Sequence, residues 1–195
     1  MSYTLLLDSS NTSLTVGLAN DGKLLDSVSY EAWQSQSEHM IPEIEKIFKD
    51  LKIEAKDINN IATTIGPGSY TGVRISLTIA KTLATVLPIK VYALSALQVL
   101  KSNDHVSICL MNARSGRSYI GVYKGNEVIL PDQIMENDKV LEFIKNNPSY
   151  KVCGDVKYLG LDGLKSNVAL EMLNIMPSIK ACENPLALTP VYMRS

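Results

Sequence analysis

The sequence predicts an α/β protein made of two halves that repeat one order of elements, three antiparallel strands followed by alternating helices and strands, with the second half shortened. Three observations carry this. Short apolar runs bounded by polar turns alternate with longer segments of helical period. The strand-rich pattern restarts at Asn103-Asp104. A chain of 195 residues, 46% of them hydrophobic, can bury a proper core without staples. One half is therefore expected over residues 1–102 and the other over 103–195.

Tyr3 to Leu7 reads as a buried strand ending at Asp8, and Leu14 to Ala19 as a second after the polar turn Ser9-Ser10-Asn11-Thr12-Ser13. Asn20-Asp21-Gly22 is a hairpin turn into a third strand, Lys23 to Ser29. Ser35-x-x-Glu38 has the form of a capping box for a helix from about Ser37 to Lys52, whose Met40, Ile41, Ile44, Ile47, Phe48 and Leu51 share one side. Asn60 to Ile65 is a short strand. A second helix is expected from about Thr71 to Leu87, where Pro88 stops it. Ile89 to Ala93 forms a strand, and Ser95-Ala96-Leu97-Gln98 caps a third helix to about Ser102.

In the second half, Val106 to Met111 and Tyr119 to Tyr123 alternate as strands about the turn at 112–117, and Glu127 to Leu130 can pair with them. A helix near Glu136 to Lys145, a strand near Tyr150 to Cys153 and a looser tail from Asp155 complete it.

Nineteen basic against twenty acidic residues give a net charge of −1, so nothing here lures nucleic acid broadly. Cys109, Cys153 and Cys182 are odd in number and widely spaced, which suits reduced thiols, with Cys109 an inert thiol in a buried strand. No apolar run reaches membrane-spanning length, and Met1-Ser2-Tyr3-Thr4 lacks a charged leader before an apolar core. A cytoplasmic protein without membrane contact is expected.

The stretch Gly66-Pro67-Gly68-Ser69-Tyr70-Thr71-Gly72-Val73-Arg74 sits between a strand and a helix. Glycines there let bare backbone approach something closely, either a phosphate at the helix start or a neighbouring segment of chain. The dinucleotide and Walker patterns are both missing, so both readings stay open. The helix that follows is apolar over roughly 200° of its circumference, about twice what one sheet contact needs. Either it is sandwiched between its sheet and a neighbouring helix, or its surplus surface packs on another chain.

The two-half order, opened by Asp8-Ser9-Ser10-Asn11-Thr12, resembles the actin/Hsp70-like (ribonuclease H-like) fold shared with sugar kinases. Within it, Ile65 to Ile75 resembles the signature of the TsaB (YeaZ) family. Supporting matches are Ser37-Glu38-His39-Met40-Ile41-Pro42-Glu43-Ile44, Asn112-Ala113-Arg114 and Pro190-Val191-Tyr192-Met193-Arg194. The resemblance implies a non-catalytic scaffold in tRNA threonylcarbamoyladenosine synthesis. Such a chain binds and activates a TsaD-like paralogue, which transfers threonylcarbamoyl to the adenosine beside the anticodon, and helps recruit a TsaE-like ATPase. It pairs with itself when alone, and meets tRNA only through the complex. Pairing through the two helices of the first half assigns Met40, Ile44, Ile47, Val73, Leu77, Ala80 and Ala84 to the interface.

A vestigial phosphate loop would comprise Asp8, Thr12, Gly66, Gly68, Ser69 and Gly72, the residues on which the alternative of a small actin-fold ATPase or phosphotransferase depends. Such chemistry wants a carboxylate in the second-half turn to hold Mg²⁺ or position water, and Asn112 stands there instead. Asn112 also departs from the aspartate common in TsaB-like proteins. The metal-binding H-x-x-x-H pair of TsaD-like enzymes has no counterpart in Val91 to Leu97, and His39 with Glu43 reads as a surface pair. No G-x-S-x-G or serine–histidine pattern supports a hydrolase. No cofactor, metal or catalytic residue is therefore expected.

Overall fold

The computed structural model describes residues 1–193. Its first sheet contains β1 (Tyr3–Asp8), β2 (Ser13–Asn20), β3 (Lys23–Glu31), β4 (Ile58–Thr64) and β5 (Lys90–Leu94), in the order β3-β2-β1-β4-β5. The β1–β2–β3 meander is antiparallel, whereas β1, β4 and β5 run parallel through two helical crossovers, α1 (Gln36–Leu51) and α2 (Tyr70–Val86). The second sheet repeats the scheme with β6 (Val106–Arg114), β7 (Arg117–Lys124), β8 (Glu127–Glu136) and β9 (Lys151–Gly154), ordered β8-β7-β6-β9, with α3 (Asn137–Asn146) as its one crossover helix.

The run Leu5-Leu6-Leu7 is continuous because β1 is covered on both faces. Leu5 and Leu7 join Leu14, Val16 and Leu18 beneath α1 and α2, where they meet Met40, Ile44, Ile47 and Ala80. Leu6 points the other way, with Ala19, Ala62 and Leu94, onto a fourth helix, α4 (Val168–Ile175). Residues 168–175 thus return to the first sheet instead of staying with the second, because Ala169, Met172, Leu173 and Ile175 cover a face that would otherwise be bare. A buried ion pair fastens this return: Lys101 Nζ lies 2.6 Å from Glu171 Oε2, and Asn103 Nδ2 donates to Glu171 Oε1 at 2.7 Å.

Three local expectations change. Ser35 does precede α1, but its hydroxyl donates to the Ala32 carbonyl and caps nothing; Gln36 turns inward and donates to the Asn11 carbonyl at 2.7 Å. The third helix shrinks to one 3₁₀ turn, Gln98–Leu100. Ser95 Oγ still accepts from the Leu97 and Gln98 amides, yet Ala96 and Leu97 are drawn into the core under Cys109, Met111 and Tyr123, which leaves no length for further turns. Finally, β8 extends to Glu136, since it stays paired with β7 down to Arg117.

Candidate functional site

A cleft of about 790 Å³ separates the halves. Asn11, Thr12 and Trp33 wall it on one side, Gly68 to Gly72 form its floor, and Met111 to Arg114, Tyr119 and Asp155 close it from the second half. Four of the six residues expected in a phosphate loop, Thr12, Gly68, Ser69 and Gly72, do line it.

The glycines of that loop are taken up by the chain itself. A Cβ on Gly68 would strike the Ser10 carbonyl oxygen, and one on Gly72 the Ser9 carbonyl oxygen. Hydrogen bonds seal the contact: the Ser69 amide donates to Ser10 O at 2.7 Å, and Ser9 Oγ donates to Gly72 O at 2.7 Å. Gly66 has φ +110° and faces the Val191 carbonyl, 2.7 Å from where its Cβ would stand. Ser69 caps α2 by accepting from the Gly72 amide at 3.2 Å. The loop therefore seats α2 against the β1–β2 turn, the packing alternative that the residues left open.

Asp8 is buried and turned away from the cleft. Its Oδ1 accepts from the Ser10 amide at 3.0 Å and from Thr64 Oγ1 at 2.5 Å. Burial raises its pKa above the ordinary 3.8, and those two hydrogen bonds oppose the rise. Asn112 Oδ1 accepts from the Arg114 amide at 2.8 Å, at the entry to a hairpin turn in which Arg114, Ser115 and Gly116 all have positive φ. The acid among the cleft-lining residues is Asp155. Among the described residues no group of three His, Cys, Asp or Glu side chains converges as a metal site. The His39 ring instead meets Tyr30 edge-on, and Glu43 accepts from the Tyr30 hydroxyl at 3.0 Å.

The residues expected at a partner interface lie largely within this chain. Met40, Ile44, Ile47, Val73, Leu77 and Ala80 are buried within this chain, and Ala84 is half-buried against the same core. Much of the wide apolar arc of α2 is covered within the chain, since Ile75, Ile79 and Leu83 are half-buried against the core shared with α1, while Val86 at its end stays exposed. The residues that the two helices leave exposed include Ile41, Glu45 and Lys49 on α1, with Tyr70, Arg74, Thr78, Thr82 and Val86 on α2.

The tail after α4 holds residues that local patterns missed. The Cys182 amide donates to Val91 O, Lys81 Nζ to Leu188 O at 2.9 Å, and the Val191 amide to Ile65 O at 2.7 Å. Tyr192 then stacks on Tyr70 and accepts from Arg74 Nε at 2.7 Å. The stretch Pro190 to Met193 was the available signal; Arg194 lies outside the described residues.

The family model described as TsaD, tRNA N6-adenosine threonylcarbamoyltransferase, matches residues 30–172. The TsaB tRNA threonylcarbamoyladenosine biosynthesis protein of Bacillus subtilis is 32% identical over 149 residues, covering 72% of this chain. The chain belongs to the TsaB/YeaZ family. A TsaB of Buchnera aphidicola (Schizaphis graminum) is 32% identical over 114 residues, or 55% of this chain. The matches span 65% and 54% of the length of these two relatives. In structure, YeaZ from Pseudomonas aeruginosa superposes with a TM-score of 0.81 over 99% of this chain and 100% of that one, at 22% identity. At that identity the likeness is one of fold, an α/β chain with two mixed sheets, the second of them smaller. The TsaB/YeaZ fold thus carries here a cleft whose glycine loop is filled by its own first turn.

Proposed function

We propose that this chain acts in the formation of threonylcarbamoyladenosine on tRNA as a scaffold without chemistry of its own, binding and activating a TsaD-like paralogue in the cytoplasm. The carrying observation is the TsaD-family match over 30–172 on a chain whose glycine loop holds backbone where a phosphate-handling protein would hold its ligand. Two further features support it: Asp8 faces the chain interior, and the second-half turn offers the neutral Asn112. The partner surface is the exposed outer side of α1 and α2, not the buried positions first assigned to it. A TsaE-like ATPase joins the assembly, tRNA is met through the complex, and the free chain pairs with itself.

Reconstitution with a purified TsaD-like paralogue, the TsaE-like ATPase, tRNA and the threonylcarbamoyl adenylate tests this. Modification is expected only when this chain is present, with no nucleotide turnover by the chain alone. Turnover of Mg-ATP by the isolated chain, or full modification in its absence, would falsify the proposal.

A further inference from the structure

The exposed stripe of α2 runs through Arg74, Thr78, Thr82 and Thr85, and the helix contains no acidic residue. Arg74 is held by two aromatic side chains. Its guanidinium carbon lies 4.1 Å from the centre of the Tyr70 ring and 5.8 Å from that of Tyr192, while Nε donates to the Tyr192 hydroxyl. The two rings stack with centroids 5.0 Å apart and 23° between planes. Among the described residues no carboxylate pairs with this guanidinium, whose two Nη groups form a fork oriented in advance by the rings.

Tyr192 can do this only because the tail is laced to the body at Leu188 and Val191, over a glycine that leaves room for the Val191 carbonyl. A loose tail would have to be ordered at the moment of binding, which costs affinity. We propose that the segment Leu188 to Met193 is a latch that fixes Arg74 as the receptor for a carboxylate of the TsaD-like partner, with Tyr192 as the positioning residue. This rests on the reading of α1 and α2 as the partner surface. One oriented cation among threonines suits a single carboxylate, whereas a polynucleotide is held by a run of cations. Tyrosine and arginine are also the residue types that dominate interface energetics.

Calorimetric titration of the whole chain with the TsaD-like paralogue, at low and high salt, tests the latch. Arg74→Ala should weaken binding roughly tenfold or more, and Arg74→Lys nearly as much, because a point charge lacks the fork. Tyr192→Phe keeps the stacked ring but loses the hydroxyl, and should weaken binding by roughly threefold. The double variant Arg74→Ala, Tyr192→Phe should bind no worse than Arg74→Ala alone, and both should lose part of the salt dependence. These side chains are exposed, so melting temperatures should not move. Binding by Arg74→Ala within about twofold of the parent, or additive losses from the two sites, overturns the latch and leaves the scaffold reading standing. A loss confined to self-association or tRNA capture means another occupant and overturns it too. If the unaltered chain fails to bind the paralogue, both readings fall.

Discussion

Asp8 ends its strand where a carboxylate could have faced the cleft, and the neighbouring backbone decides otherwise. Its bonds to Ser10 and Thr64 make it part of the turn that supports Gly68 and Gly72. Because burial raises its pKa in the folded state, the folded protein holds this proton to higher pH than the unfolded chain does. Stability therefore falls as pH rises from 3.8 through the raised value, and above that the cost is constant. Asp8→Asn keeps an oxygen for both hydrogen bonds and carries no charge. The variant should be at least as stable as the parent at neutral pH, with its advantage vanishing as pH drops towards 3.8. Urea denaturation at the two pH values measures this, and a variant less stable at neutral pH would refute the assignment. Spacing alone showed that Asp8 ends a strand and that the loop permits close approach. Which group fills the space depended on the Ser9 and Ser10 carbonyls, whose positions no local pattern encodes.

At the level of elements, the sequence was most legible where periodicity is long. The helix expected over Thr71 to Leu87 runs from Tyr70 to Val86, and the first two strands of each meander lie close to where the residue pattern placed them, whereas β8 runs on past Leu130. The same periodicity could not tell which apolar positions face a sheet and which face outward. Met40 lies at the base of α1 in the core, whereas Ile41, one position on, is 45% exposed. Truncating the first should act on the fold and charging the second stripe on assembly. Met40→Ala should cost about 2–5 kcal/mol of stability through the cavity it leaves. Thr78→Arg should leave the melting temperature unchanged while abolishing copurification with the TsaD-like paralogue, since a buried unpaired charge in the seam costs roughly 3–5 kcal/mol. Normal copurification by that variant would move the interface away from α2. The missing third helix is a failure of a different kind, in which Ser95 supplied the cap but tertiary burial of Ala96 and Leu97 overrode the local signal.

Across the whole molecule, the two halves are tied by contacts remote in sequence. Ser95, at the end of the first sheet, donates to Asp132 on β8 at 2.5 Å, and Tyr123 donates to the same carboxylate, whose pKa burial raises. Lys101 and Glu171 are separated by 70 residues, and their pairing pins α4 to the connection between the halves. Lys101→Met would leave the Glu171 carboxylate buried and uncompensated, at a cost of about 3–5 kcal/mol, and the double change Lys101→Met, Glu171→Leu should recover most of it. Chemical denaturation of the two variants checks this, and a single change costing less than about 1 kcal/mol would show that the pair is not holding α4.

By itself the sequence determined the α/β class, the repeated order of strands and helices and the family signature around Gly66 to Arg74. All of these follow from interactions between near neighbours, namely side-chain period, turn residues and the types of group present. Only the tertiary structure decided that α4 belongs to the first sheet, that the glycine loop encloses the chain's own backbone, and that Tyr192 meets Arg74 across 118 positions. Those outcomes depend on burying a bare sheet face and on satisfying backbone groups at long range, and neither requirement leaves a periodic trace in the residues that meet it.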